Sequence, residues 1–84
     1  MFVHITKATH VSDWKLWLEF NDGTRGEVDL RDELEGEIFE PLRDLEFFKS
    51  FVLDSELDTV VWSNGADFAP EYLRDLVQGE REVA

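Results

Sequence analysis

Thr59-Val60-Val61-Trp62-Ser63-Asn64-Gly65-Ala66-Asp67-Phe68-Ala69-Pro70-Glu71-Tyr72-Leu73 is the stretch on which the rest of the chain depends. Its first four residues form a short apolar run that reads as a strand. Asn64-Gly65 follows, a dipeptide that accepts left-handed backbone angles and so turns the chain sharply. Pro70 then suits the first turn of a helix, where its fixed φ helps and its missing N–H is not needed. A strand–turn–helix joint of this kind sets a terminal helix back onto a sheet.

Working outward, the helix is expected over Pro70 to about Gln78, with Tyr72, Leu73, Leu76 and Val77 as its apolar stripe. Asp67 is placed to accept from exposed N–H groups at its start. Gly79 reads as its stop, leaving 1–79 as one domain and 80–84 as a frayed tail. Upstream, Phe51–Asp54 and Thr59–Trp62 read as two strands, joined by a linker short enough for an antiparallel hairpin.

The cleanest alternation lies at Trp14–Phe20. Trp14, Leu16, Leu18 and Phe20 share one face, while Lys15, Trp17 and Glu19 share the other. Asn21-Asp22-Gly23 then turns the chain. A two-residue loop would set Leu18 opposite Glu27 and mix the faces. A three-residue loop with Gly23 left-handed pairs Leu16 with Val28, Lys15 with Asp29 and Glu19 with Arg25, so like faces like on both sides. Phe2–Val11 reads as a preceding strand, with Ser12-Asp13 as the turn. Arg31–Glu37 is a charged turn or one short helical turn, and Pro41 opens a short helix with Leu42 and Leu45 turned inward. The fold class is therefore α+β: one small domain of about five mostly antiparallel strands, a short central helix and a C-terminal helix on the sheet.

Composition narrows the function more by exclusion than by assignment. The chain has 84 residues, enough for a single core, which buries about 60–65 % of the unfolded surface at this size. Three Trp and seven Phe mark a folded domain despite the high charge. Twenty acidic residues against eight basic give a net charge of −12. That field repels phosphate backbones and anionic lipid, so neither direct nucleic-acid binding nor membrane binding is expected. It suits a solvated surface or a basic protein partner; a homodimer is a further option. With no cysteine there is no disulfide, thiol nucleophile or thiolate metal site. No signal-like segment and no run of about 20 apolar residues is present, so a cytoplasmic location is expected.

Chemistry-bearing constellations are weak. His4 and His10 sit on one strand about 20 Å apart, too far to share a metal. Glu33, Glu35 and Glu37, and again Asp54, Glu56 and Asp58, fall in connecting segments that match no calcium loop. No serine has a base in a predictable geometry, and no phosphate-cradling glycine loop occurs. Neither a catalytic residue nor a metal or cofactor is expected. Two candidate sites follow. Trp17, with Glu19 and Glu27 beside it, is a partner contact if helices cover only one face of the sheet, and a second-face core residue if the connecting segment packs there. Trp62, Asn64 and Asp67, converging at the strand–helix joint, are the alternative: a small-molecule or enzymatic site, or else a turn brace and helix cap. Mimicry of DNA by the carboxylates is a weaker third option.

Asp22-Gly23, Val28-Asp29-Leu30, Phe39…Leu42…Phe47, Trp62 to Asp67 and Pro70-Glu71…Leu73 together resemble the bacterial domain-of-unknown-function family numbered twenty-four forty-two. The resemblance covers nearly the whole chain. It implies an α+β domain similar to the amino-terminal part of longer proteins that carry a helix-turn-helix behind it, a part this chain is expected to lack. It also implies small proteins encoded in toxin–antitoxin-like pairs. No catalytic residue comes with it. The reading that results is an acidic interaction module, the antitoxin-like or regulatory member of a pair.

Overall fold

The computed structural model describes residues 2–83, with side chains to residue 77. Five antiparallel strands fall into two sheets rather than one. The first holds β1 (Ile5–Ser12), β2 (Lys15–Phe20) and β3 (Arg25–Asp29) in sequence order. The second is a ribbon of β4 (Val52–Asp54) and β5 (Thr59–Val61). Between them run 3-10 turns at Arg31–Glu33 and Glu40–Arg43 and the single-turn helix α1 (Leu45–Phe48). Helix α2 (Pro70–Val83) closes the chain and packs beside β3.

The β2–β3 register is the one that matched faces demand: Lys15 opposite Asp29, Leu16 opposite Val28, Trp17 opposite Glu27, Glu19 opposite Arg25. The Phe20 amide donates to the Thr24 carbonyl at 2.8 Å, leaving three residues in the loop, and Gly23 takes φ +90°. The β1–β2 turn is displaced from expectation. Asp13-Trp14 forms it, with Asp13 at φ +45°, and Ser12 pairs with Lys15. Trp14 thus leaves the strand. Its indole N–H instead donates to the Leu42 carbonyl at 2.9 Å, and the Arg31 guanidinium lies 4.8 Å over its ring. Residue Thr6 is bulged out of the β1–β2 ladder.

One core joins both sheets and α2: Ile5, Leu16, Leu18, Phe20, Val28 and Leu30 from the first sheet, Leu34, Leu42 and Phe48 from the connection, and Val60, Trp62, Phe68, Leu73 and Val77 from the joint. Two expectations for α2 are corrected. The helix runs through Gly79 to Val83, because a glycine ends a helix only where it adopts the left-handed cap; inside one it costs about 1 kcal/mol and is tolerated. Of the expected stripe, Leu73 and Val77 are buried and Leu76 half-buried, but Tyr72 is exposed, stacks on Phe68 and donates its hydroxyl to Glu33.

Candidate functional site

The alternation that buries Leu16 and Leu18 forces Trp17 to the opposite side of the first sheet. Three rows cross that outer face: Lys7-Glu19-Arg25, then Thr9-Trp17-Glu27, then Ser12-Lys15-Asp29. Trp17 and Glu19 are half-buried; every other member of the three rows is exposed. Trp17 does not join the core. Among the described residues no helix or connecting segment packs the Trp17 ring into a second interior, and it lies half-buried on the outer face of the sheet. Its N–H donates to a Glu19 carboxylate oxygen at 3.3 Å, which fixes the orientation of the indole.

Beside the ring, toward the hairpin end, is an open depression of about 520 Å³ lined by Trp17, Gly23, Arg25 and Gly26. The two glycines bring backbone rather than side chain to its wall. The strands place Arg25 opposite Glu19, but no ion pair closes between them. Electrostatically the face differs from the molecule around it. Lys7, Lys15 and Arg25 balance Glu19, Glu27 and Asp29, so the surplus behind the −12 charge lies elsewhere. Six of the carboxylates that make it up lie in or beside connecting turns: Glu33, Glu35 and Glu37, and Asp54, Glu56 and Asp58.

The second candidate cluster is built differently. Trp62 is buried, its indole N–H donates to the Phe48 carbonyl at 2.8 Å, and Phe48, Phe51 and Phe68 surround its ring. Asn64 uses both ends of its amide: Oδ1 accepts from the Ala66 amide at 3.1 Å, and Nδ2 donates to the Ile38 carbonyl at 2.9 Å. Asp67 is exposed and pairs through its backbone with Val61. Its carboxylate makes no hydrogen bond among the described residues, so the helix-cap role does not materialise; Asn64 is the brace. These three residues are brought together as a folding joint.

A model of the family described as "Protein of unknown function (DUF2442)" matches residues 5–79, a span that takes in both hairpins and the joint. The chain belongs to this family. No curated protein and no solved structure matches it. In this DUF2442 domain no described helix is long and apolar enough to cross a membrane. Among the described residues no group of His, Asp and Glu converges as metal ligands. The bulge at Thr6 changes the facing of the strand between the two histidines, and His10 Nε2 sits 2.8 Å from the Asp13 carbonyl.

Arg25, Lys7 and Lys15 are the residues that sequence reasoning left out of the site. The register placed them on the outer face; that they close no ion pair there among the described residues could not be read from pairing alone.

Proposed function

We propose that this DUF2442 domain is a protein-interaction module, the regulatory or antitoxin-like member of a bacterial two-protein pair acting in the cytoplasm. It docks a partner of net basic charge on the outer face of the first sheet, with Trp17 as anchor and Glu19 and Glu27 beside it. The observation that carries the reading is Trp17 itself: a large aromatic ring, held in place by Glu19, on the sheet face opposite the core and outside the core cluster of the described residues. Half-buried surface tryptophans with fixed orientation lose little entropy on docking and recur as interface anchors. The acidic remainder of the molecule adds long-range attraction for a basic partner, an effect that weakens with salt.

The test is affinity capture from the native cell extract followed by intact-complex mass spectrometry, run with the wild-type chain, Trp17→Ala and a control, Leu57→Ala, on an exposed turn away from this face. A stoichiometric complex that survives the control change and is lost with Trp17→Ala is expected. Return of the chain alone, or a complex indifferent to Trp17, would remove the reading.

A further inference from the structure

The described basic side chains of this acidic molecule divide into two groups. Arg31, Lys49 and Arg74 are ion-paired to Asp13, Glu46 and Asp22, and Arg43 donates to the Leu34 carbonyl at 2.9 Å. Lys7, Lys15 and Arg25 have no ion-pair or hydrogen-bond partner among the described residues, and all three stand on the Trp17 face. With 20 carboxylates in 84 residues, finding every unpartnered described cation on a single face points to an anionic group supplied from outside.

The depression says what kind of group. Arg25 is the diagonal cross-strand neighbour of Trp17, a relation that sets such residues about 7–8 Å apart. One wall is therefore an indole and another a free guanidinium, which binds carboxylates through paired hydrogen bonds. Gly23, with nothing within 4 Å of where a Cβ would stand, leaves room for backbone to approach beside them. A ligand residue that satisfies both walls carries a carboxylate and an apolar side chain on the same carbon. Only the last residue of a polypeptide does so. An internal Asp or Glu brings the charge without the apolar group, and an internal Phe or Leu brings the reverse. The open mouth of the depression also suits the end of a chain better than an enclosed small molecule.

We infer that the Trp17–Arg25 depression captures the C-terminal residue of the partner chain, its side chain against the indole and its carboxylate on Arg25. The inference rests on the interaction reading above and names the group that reading left open. Net basic charge on the partner and a single captured carboxylate are compatible, because the first acts at long range on the acidic remainder and the second only on contact.

Titration of the ¹⁵N-labelled full chain with acetyl-Gly-Gly-Phe as free acid, as the C-terminal amide, and with phenylacetate tests it. The free acid is expected to shift the Trp17 indole N–H and the Arg25 and Gly26 amides, leaving the indole signals of Trp14 and Trp62 in place. It should bind at least about tenfold more tightly than the amide, a difference of about 1.4 kcal/mol. Arg25→Gln should abolish that difference without unfolding the chain. Equal binding of acid and amide, or no effect of Arg25→Gln, overturns the capture of a carboxylate. Phenylacetate binding as tightly as the peptide overturns the chain terminus in favour of a small free acid. If Trp17-dependent capture of a partner persists while the free acid fails, only this inference falls; if both fail, the interaction reading falls with it.

Discussion

Trp17 and Trp62 are the same side chain put to opposite uses. Trp62 is 2 % exposed, its N–H is closed by a buried carbonyl, and three phenylalanine rings pack around it. Trp17 is half-buried, its N–H is held by a surface carboxylate, and it stands outside the core cluster. The difference is one of strand facing and position. Trp62 follows a strand whose neighbours Thr59 and Val60 are both buried, and it leads directly into the turn that returns the chain to α2. Trp17 sits between two fully buried leucines, so alternation sends it outward. The proposed docking uses the ring that stands outside the core cluster.

The sharpest way to break this contrast is to remove the ring that the fold does need. Trp62→Ala should cost about 3–5 kcal/mol, as expected for deletion of a buried aromatic. Total stability of a domain this size is about 4–13 kcal/mol, so equilibrium urea unfolding should show a large fall in midpoint or a chain already unfolded in buffer. Next in size is Gly65→Ala in the adjoining turn. Gly65 has φ +92° and nothing within 4 Å of where a Cβ would stand, so the penalty comes from backbone conformation and not from crowding. It should amount to about 1–2 kcal/mol by the same urea measurement.

How far the sequence discloses this division varies along the chain. The β2–β3 register was legible because both faces constrain it: one residue of slip would put Glu27 against Leu18 inside and strand Val28 outside. The Asn64-Gly65 turn was legible because few dipeptides accept its backbone angles. The separation into two sheets was not, since it is imposed by the irregular connection from Leu30 to Phe51. That connection is held by long-range bonds such as Trp14 to Leu42 and Arg43 to Leu34, which follow no period. Trp14 was misplaced for the same reason: strand alternation says nothing of an indole recruited by a distant carbonyl. On the candidate site, facing alone identified Trp17 and its neighbours Glu19 and Glu27. Whether the face was open, and whether Arg25 closed an ion pair, depended on where α2 and the connecting turns pack.

Trp14→Phe gives a smaller effect than either change at the joint. It keeps a ring under Arg31 and loses the hydrogen bond to Leu42, a net loss of about 0.5–1.5 kcal/mol. Smaller still is the acid dependence at Asp22. The Thr24 amide and hydroxyl, and after them the Arg74 guanidinium, hold its carboxyl below its ordinary value of 3.8. A carboxyl depressed in the native state stabilises the fold above its unfolded pKa and loses that contribution as pH falls through the native one. Stability should therefore decline below about pH 4, and Arg74→Gln should make that decline slightly shallower in urea titrations at successive pH values.

The central claim is that the Trp17 ring belongs to the surface and not to the fold. Equilibrium urea unfolding of Trp17→Ala, followed by far-ultraviolet circular dichroism, tests it most directly. A loss below about 1 kcal/mol with an unchanged denaturant slope is the predicted result, in keeping with changes at surface positions. A loss near the 3 kcal/mol or more expected for Trp62→Ala would make Trp17 a core residue and contradict the account.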